Sequence, residues 1–471
     1  MSHLMISAGH KSSGKTTISL GLCAALSKKG FNVQPFKKGP DYIDPMWLGL
    51  AADNDCHNLD FHSMSKDEIR GTFRQFGHGA DISLIEGNKG LYDGLDLEGR
   101  NSNAALARLI KAPVVLVIDA QGMTRGIAPL ILGYQAFDKR INIAGVILNK
   151  LGGRRHEGKL RAVIEHYTDV PVIGAVHKDP QLVIDEQHLG LMPTHTLDET
   201  KQRINAIATQ IEDQVDLEKL KDIADLAPAI KQGRVLNLVT NKKTDVTIGI
   251  AKDNAFGFYY PSDLMALESA GAKLVNINTL TDKKLPEIDG LFIGGGFPES
   301  FMAELSHNES LKSDIALAIE NELPVYAECG GLMYLTRNIN WKEKNYPMVG
   351  VIPADSEMCE KPQGRGYVRL KETEDFLWKT PKNNTDSKEF CAHEFHYSRL
   401  TNIDNSVKFA YKVLRGTGIT GFEDGIVYKN VLASYTHLRD VTHNRWAKRF
   451  VDFVKQIKSE RSLSSKNRQI Q

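Results

Sequence analysis

The feature that most constrains this chain is a glycine-rich loop near its start, between an apolar stretch and a helical pattern. Residues 4–8 are apolar and strand-like, residues 9–16 read Gly-x-x-x-x-Gly-Lys-Thr, and helical periodicity follows from Thr17. In a strand–loop–helix setting, this motif directs backbone N–H groups and the helix dipole at phosphate. A glycine-rich turn that only caps a helix is the alternative, and the complete motif argues against it. The loop is therefore predicted to bind a nucleotide.

The same motif predicts roles for individual side chains. Lys15 is placed to reach the β- and γ-phosphates of a nucleotide, and the hydroxyl of Thr16 is placed to ligate Mg²⁺. The predicted nucleotide-binding residues of the loop and first helix are Gly9, Gly14, Lys15, Thr16 and Thr17.

Five more strand-like runs follow, at residues 31–36, 82–85, 112–118, 143–148 and 171–176. They alternate with helical stretches, which predicts an α/β fold with a parallel, doubly wound sheet. Ligands of such sheets bind at the carboxyl ends of the strands. Polar side chains stand there: Lys37, Lys38, Asp41, Tyr42 and Asp44 after the second strand, Glu86 and Asp93 after the third, and Asn149 after the fifth. The Gly-Pro-Asp of the first group is also ordinary turn chemistry.

A second reactive stretch lies near residue 329. The apolar run at residues 323–327 suggests a short buried strand that stops at Cys329, and Gly330 and Gly331 open a helical pattern. A nucleophile on a tight strand-to-helix turn has an exposed side chain, and the next N–H points at the reacting carbonyl. A helix N-terminus is also expected to lower the pKa of the thiol. The alternative is a buried structural cysteine, the commoner fate of a free thiol.

Two further segments could complete a thiol-dependent site. His437 ends a strand-like run at residues 431–436, and a Cys/His pair need only meet in space. Three glycines at residues 294–296 follow another apolar strand, and glycine lets backbone N–H groups approach a ligand closely. Gly295, Gly296 and Gly330 are the predicted oxyanion hole for Cys329, and a plain tight turn is the alternative for the first two.

Composition bounds the remaining possibilities. The formal net charge of +1 gives no global field that would favour nucleic acid or an anionic membrane. Five cysteines in 471 residues are sparse, odd in number and unpatterned, which indicates a reducing compartment, and the start of the chain has no signal-peptide layout. We therefore predict a cytoplasmic protein that uses no nucleic acid or membrane.

The length suggests two to four domains. We predict a nucleotide-binding domain at residues 1–235 and a second α/β domain at 245–455, joined by a polar linker. The stretch at 456–471, rich in Ser, Lys, Arg and Gln, is expected to be a disordered tail.

Taken jointly, the motifs resemble the cobyrinic acid a,c-diamide synthase family. Besides the phosphate loop they read Lys-Lys-Gly-Pro-Asp-Tyr-Ile-Asp-Pro at 37–45, Glu-Gly-x-x-Gly-Leu-Tyr-Asp-Gly at 86–94, Gly-Gly-Gly-Phe-Pro-Glu at 294–299, Ala-Glu-Cys-Gly-Gly at 327–331, His-Glu-Phe-His-Tyr-Ser at 393–398 and Ala-Ser-Tyr-Thr-His-Leu at 433–438. The resemblance implies a dethiobiotin synthetase-like P-loop domain followed by a class I glutamine amidotransferase-like domain.

The resemblance also implies a two-site reaction, in which Cys329 attacks the amide of glutamine and His437 serves as base and then acid. ATP on the loop activates a carboxylate of an acidic modified tetrapyrrole as an acyl phosphate, which the released ammonia converts to an amide. The expected substrate carboxylates are a and c of cobyrinate, in cobalamin biosynthesis.

For the ATP site, the resemblance implies Mg²⁺ held by Thr16 and Glu86, and adenine read by Asn149. It implies catalytic roles near the acyl phosphate for Asp41, Asp44 and Asp93, and substrate contacts for Lys37, Lys38 and Tyr42. A homodimer is a further expectation.

Several departures from the family pattern leave other activities open. Arg439 stands where ordinary class I glutaminases carry the glutamate of a His-x-Glu sequence, so the group that orients His437 is not apparent. Differences such as Asn88 and Lys89 near the substrate edge leave amidation of sirohaem or of a nickel sirohydrochlorin as an alternative activity. From another class, the chain could be a P-loop ATPase switch whose glutaminase-like domain only binds.

Overall fold

The computed structural model describes residues 1–182, 186–187, 190–191, 197–233, 244–378 and 389–470. The chain divides into two compact units, Met1–Leu236 and Asn237–Gln471. Most of the expected linker lies outside the described residues. Within them, no helix is long and apolar enough to cross a bilayer.

The N-terminal unit is built on parallel strands with helices between them. Its strands are β1 His3–Ala8, β2 Val33–Lys38, β3 His57–Leu59, β4 Ile82–Glu86, β5 Val114–Asp119, β6 Ile143–Leu151, β7 Val172–His177, β8 Glu186–Gln187 and β9 Gly190–Leu191. Its helices are α1 Lys15–Lys28, α2 Ile43–Ala52, α3 Lys66–Gly77, α4 Asn103–Ile110, α5 Ile127–Phe137, α6 Arg154–Tyr167, α7 Leu197–Gln214 and α8 Leu217–Asp225.

In the described part of this unit, the main sheet has the order β3-β2-β4-β1-β5-β6-β7, and each neighbouring pair is parallel. Helices cover such a sheet on both faces, which explains why β5 is a nearly continuous run of Val, Leu and Ile. Gly21 brings α7 against α1, because a Cβ there would lie 2.3 Å from Cγ1 of Ile211. The prediction of a parallel doubly wound sheet is confirmed.

The C-terminal unit mixes parallel and antiparallel strands. Its strands are β10 Val246–Ala251, β11 Phe256–Phe258, β12 Ala272–Ile277, β13 Gly290–Ile293, β14 Gly295–Gly296, β15 Val325–Glu328, β16 Asn338–Trp341, β17 Lys344–Pro347, β18 Asp355–Met358, β19 Gly364–Glu372, β20 Glu389–His396, β21 Ser398–Thr401, β22 Lys408–Arg415, β23 Glu423–Tyr428 and β24 Val431–Ser434. Its helices are α9 Pro261–Ser269, α10 Met302–His307, α11 Glu309–Glu320, α12 Gly330–Leu335 and α13 Trp446–Ile470.

Its large sheet has the order β12-β10-β13-β15-β24-β23-β22-β19-β20 within the described residues. The strands from β12 to β24 are parallel, and those from β24 to β20 are antiparallel. Successive side chains of a strand face opposite sides. Tyr326 therefore packs with Trp446 and Phe450 on one side, whereas Ala327 joins the core of α11 and α12 on the other. β15 lies at the centre of this unit.

The expectation of a disordered tail at 456–471 is wrong, because α13 continues to Ile470. Its buried residues Trp446, Phe450 and Val454 anchor the helix on the sheet. Beyond them, Lys458 pairs with Asp289, at 2.8 Å. Composition alone did not reveal this anchoring.

Candidate active sites

The phosphate loop of the N-terminal unit is held in shape by side chains from other strands. Gly14 has a left-handed backbone, with φ of 83°, and a Cβ at that position would lie 2.1 Å from Nδ2 of Asn149. The same Nδ2 donates a hydrogen bond to the carbonyl of Ser13, at 2.8 Å. Asn149, which the resemblance connects with adenine, therefore also braces the loop, and its contact with adenine stays a prediction.

Other contacts hold the remaining loop carbonyls. The hydroxyl of Tyr134 donates to the carbonyl of Gly9, and Nζ of Lys150 donates to the carbonyl of Ser12, at 2.8 Å. Lys150 also reaches Asp119, at 2.8 Å. Burial opposes ionisation of Asp119, but hydrogen bonds from Lys150 and a backbone N–H outweigh it and lower the pKa of this carboxyl. These contacts fix the positions of the loop carbonyls.

Glu86, at the end of β4, connects the loop with the second strand. Its Oε1 lies 2.8 Å from the hydroxyl of Thr16, 3.4 Å from Nζ of Lys15 and 2.9 Å from Nζ of Lys37. Its Oε2 is buried and has no hydrogen-bond partner among the residues that the structure describes. Residues that are 49 to 71 positions apart in sequence therefore meet at one edge of the sheet.

The group around Glu86 fits a magnesium ion. Thr16 and Glu86 offer a hydroxyl and carboxylate oxygens, the ligands that Mg²⁺ prefers, and the buried Oε2 of Glu86 lacks a partner. Among the described residues, no cluster of three His, Cys, Asp or Glu side chains could hold a metal by itself. Mg²⁺ in nucleotide sites is usually held by one or two protein groups, phosphates and water, so this sparse donor set suits it.

Lys37, which the resemblance connects with the substrate, is buried among carboxylates of the protein. It contacts Asp44 directly, Glu86 at 2.9 Å and Asp41 at 3.7 Å. Burial opposes its charge, but Asp44, Glu86 and Asp41 together raise the pKa of Lys37 well above its usual value. The pKa of Asp44 is raised by burial and by Asp41, although Lys37 opposes the shift. A charge that is compensated in this way has no need of an external anion.

The remaining predicted residues of this edge lie on the same loops. Lys38 donates to Oδ1 of Asn88, at 2.9 Å, and burial lowers its pKa to about 8. Asp93 accepts the N–H of Gly90, at 2.9 Å, and Gly90 packs so closely that a Cβ would lie 2.8 Å from the carbonyl of Gly9. Tyr42 is buried at the start of α2, and Thr17 is in the first turn of α1. Their contacts with a substrate or nucleotide stay predictions.

In the C-terminal unit, Cys329 occupies a strained turn between β15 and α12. Its backbone has φ of 48° and ψ of −99°, an uncommon conformation for a residue with a side chain. Position 331, two residues after Cys329, requires glycine, because a Cβ there would lie 2.2 Å from the carbonyl of Ile293. The N–H of Cys329 donates to the carbonyl of Ser434 at the end of β24, at 2.7 Å. The predicted strand–turn–helix around the thiol is present.

The expectation of a lowered thiol pKa is wrong. Burial and the charge of Glu299 raise the pKa of Cys329, and the N–H of Gly330 opposes them only in part. The side chain lies under β20, with Sγ 4.0 Å from the carbonyl of Phe395. The six-residue helix α12 does not offset the loss of water around the sulfur, so forming a thiolate here requires a nearby base.

The three predicted oxyanion glycines come together beside His437. A Cβ on Gly330 would lie 3.1 Å from the backbone nitrogen of Gly296, and one on Gly295 would lie 2.7 Å from Cε1 of His437. Gly295 and Gly296 form the short strand β14, paired with Phe258 and Phe256 of β11, instead of a plain turn. A Cβ on Gly296 would lie 1.9 Å from the carbonyl of Ala255, so the site tolerates only glycine there.

His437 is held by groups that sequence reasoning missed. Its Nδ1 lies 3.2 Å from Oε2 of Glu328, the residue before the nucleophile, and its ring stacks on His393, with centroids 5.0 Å apart. Arg439, in the place of the usual glutamate, lies over the ring of Tyr260. The available signal for Glu328 was its position, because it is a charged residue between the apolar run 323–327 and Cys329. The role of the 393–398 motif could not be deduced from spacing.

Comparison with known protein families agrees with both sites. The model of the CobQ/CobB/MinD/ParA nucleotide binding domain matches residues 4–190, and that of the CobB/CobQ-like glutamine amidotransferase domain matches residues 247–444. The chain is thus an enzyme of the glutamine amidotransferase class that carries a nucleotide-binding domain. The fold predicted for each half is confirmed.

Similar proteins extend over nearly the whole chain. A cobyrinate a,c-diamide synthase of Magnetococcus marinus is 42% identical over 449 residues, which cover 94% of this chain and 95% of the relative. One of Caldanaerobacter subterraneus is 42% identical over 95% of this chain and 97% of its own, and one of Methanosarcina acetivorans 39% identical over 98% and 96%. The chain belongs to the cobyrinate a,c-diamide synthase family, as its motifs predicted.

Proposed function

We propose that this protein uses ATP and glutamine to amidate the a and c carboxylates of cobyrinate, a step of cobalamin biosynthesis. The observation that carries the proposal is the similarity, over more than nine-tenths of the chain, to proteins named cobyrinate a,c-diamide synthase. The strained turn at Cys329, and the glycines of β14 that lie beside Gly330 and the ring of His437, support the glutamine-dependent half.

In the glutaminase half-reaction, His437 accepts the proton of the Cys329 thiol, and the sulfur attacks the side-chain carbonyl of glutamine. The N–H groups near Gly295, Gly296 and Gly330 stabilise the oxyanion. His437 then returns the proton to the leaving nitrogen, which departs as ammonia. Water hydrolyses the resulting thioester to glutamate. The raised pKa of Cys329 supports this need for a neighbouring base.

In the synthetase half-reaction, a substrate carboxylate is activated before ammonia attacks, because hydroxide is a poor leaving group. The γ-phosphoryl group of ATP passes to the carboxylate, and ammonia displaces phosphate from the acyl phosphate to give the amide. Lys15 and the loop N–H groups hold the phosphates. Mg²⁺, held by Thr16 and Glu86, would supply charge neutralisation at the phosphates.

We propose that Asp41, Asp44 and Asp93 lie near the acyl phosphate, and that Lys38 and Tyr42 contact the substrate. Lys37 instead sets the positions of its carboxylate partners, as its burial among them supports. We also propose that the protein is cytoplasmic and requires no nucleic acid, as the net charge of +1 and the sparse cysteines support, and that it is a homodimer.

The test is to incubate the protein with ATP, Mg²⁺ and glutamine labelled at its amide nitrogen, together with cobyrinate, sirohaem or nickel sirohydrochlorin. Mass spectrometry of the tetrapyrroles then counts the amides formed. Two labelled amides on cobyrinate are expected. Labelled sirohaem or nickel sirohydrochlorin in place of cobyrinate would contradict the substrate, and ATP hydrolysis with no glutamate release under any condition would favour the ATPase switch.

A further inference from the structure

We infer that Glu328 is the positioning residue of His437, so that the carboxylate of the glutaminase site comes from the residue directly before the nucleophile. The inference rests on the glutaminase half of the proposed function. Oε2 of Glu328 lies 3.2 Å from Nδ1 of His437, and both side chains are almost fully buried.

The carboxylate of Glu328 is itself fixed by two donors. Its Oε1 accepts the N–H of Leu438, at 2.8 Å, and the hydroxyl of Tyr326, at 2.5 Å. Leu438 directly follows His437, so one carboxylate holds both the ring and the backbone beside it. On the opposite side, His437 and His393 exchange backbone hydrogen bonds, at 2.8 and 3.4 Å. The imidazole is thereby held from its ring and from its backbone.

This contact determines which nitrogen of the imidazole carries the proton. An ionised carboxylate only accepts hydrogen bonds, so the N–H of a neutral imidazole must lie at Nδ1, toward Glu328. Nε2 is then the unprotonated nitrogen, the one that can accept the proton of a thiol. After that transfer, the carboxylate stabilises the positive ring, as the aspartate of a Ser-His-Asp triad does.

Neighbouring charged groups have other contacts. Arg439 lies over the ring of Tyr260, with 4.9 Å between the guanidinium carbon and the ring centroid. Asp424 accepts the N–H groups of Tyr435 and Thr436, and Asp440 pairs with Arg445. Glu328 supplies the carboxylate that contacts the ring of His437. This glutamate lies at the end of β15 and not in the segment after β24.

A structural role is the competing explanation, because Glu328 also holds the N–H of Leu438. The substitution Glu328→Gln separates the two. The glutamine keeps an oxygen for Leu438 and Tyr326, but it presents an N–H group to Nδ1, which favours the tautomer that carries its proton on Nε2. That tautomer cannot accept a proton from Cys329, whereas the backbone support is retained.

We expect Glu328→Gln to lower the kcat of glutamate release by about a thousandfold, with KM changed by less than about threefold, in line with carboxylate-to-amide changes in triads. Amidation of cobyrinate with free ammonia should be retained. Alkylation of Cys329 by iodoacetamide should slow at neutral pH, because formation of the thiolate needs the base.

Two controls accompany this variant. Tyr326→Phe removes the hydroxyl that donates to Oε1 of Glu328 and leaves the contact with Nδ1 of His437 in place. It should lower kcat by less than about tenfold, because only one neutral donor is lost. Glu394→Gln changes another buried glutamate, whose oxygens accept the N–H groups of Thr417 and Gly418, at 2.7 and 2.8 Å. It should lower thermal stability without the large loss of kcat at constant KM.

A double-mutant cycle decides the question even if the single variant is less stable. In a His437→Gln background, Glu328→Gln should change the alkylation rate of Cys329 by less than about twofold, because a residue that acts through His437 has no effect without it. Equal slowing in both backgrounds would overturn the inference, as would a parallel loss of ammonia-dependent amidation or a kcat of Glu328→Gln within tenfold of the parent. If the parent released no glutamate, the proposed function would fail, but the alkylation cycle would still test the contact.

Discussion

The two sites of this protein are prepared for their substrates in different ways. In the N-terminal unit, Lys15 and Lys37 are paired with Glu86, Asp41 and Asp44, so the edge of the sheet is a set of mutually compensated charges. In the C-terminal unit, the site consists of a strained backbone at Cys329, glycines that no larger residue can replace, and an imidazole held by one carboxylate.

The difference follows from the ligands that the two sites are proposed to bind. A nucleotide and a metal bring several charges, and a paired set of lysines and carboxylates can exchange partners when they enter. The side-chain amide of glutamine is neutral, and charge appears on its oxygen only as the thiol attacks, so donors fixed in advance are most effective. The first site should respond mainly to changes of charge, whereas the glycines of the second site should be sensitive to changes of shape.

The largest effect should come from Cys329→Ala, which removes the thiol of the C-terminal site. We expect glutamine-dependent amidation to fall by a thousandfold or more, because no other thiol can form the thioester. The measurement is amide formation with glutamine and, separately, with ammonium chloride. Loss of both reactions would mean that the two units do not have separable roles.

Lys15→Ala should disable the N-terminal site. Amidation should fall by on the order of a hundredfold or more with either nitrogen source, because the charge on the transferred phosphoryl group loses a cation. Alkylation of Cys329 by an electrophilic glutamine analogue should be unchanged and serves as the control. Undiminished product formation would contradict the phosphate role of the loop.

Gly296→Ala tests sensitivity to shape in the second site. A Cβ there would lie 1.9 Å from the carbonyl of Ala255, so β14 must move away from Gly330. We expect glutamine-dependent amidation to fall by about a hundredfold, as when an oxyanion donor is displaced, while the ammonia-dependent reaction persists.

The matched control for this variant is Gly133→Ala, in the middle of α5, where a Cβ meets nothing within 4 Å. It should leave activity intact and stabilise the helix by about 0.5–1 kcal/mol, measured by chemical denaturation. Full glutamine-dependent activity in Gly296→Ala would show that β14 is not part of the site.

The smallest effect should be that of Asp44→Asn, which removes one of three carboxylates around Lys37. Because Glu86 and Asp41 remain, we expect amidation to fall only about tenfold, through misplacement of the reacting groups. Asp53→Asn is the control, since Asp53 is an exposed residue with φ of 51°, a conformation that asparagine adopts readily. Failure of Asp44→Asn to react with the glutamine analogue at Cys329 would make Asp44 a purely structural residue.

Sequence reasoning worked best where chemistry depends on residues close together in the chain. The phosphate loop, the strand–turn–helix at Cys329 and the polar residues after β2 and β4 are all local patterns, and the structure has them in the predicted elements. It did not reveal the features that depend on burial. The inward turn of Lys37 and the raised pKa of Cys329 both depend on the water that neighbouring elements exclude.

The sequence by itself determined the two α/β folds and the family, because hydrophobic periodicity and glycine at fixed spacing act over short distances along the chain. Only the tertiary structure decided that Glu328 faces His437, that Asn149 supports the phosphate loop, and that residues 456–470 continue a helix. These facts depend on which strands become neighbours in a sheet, and strand order is set by packing over the whole domain.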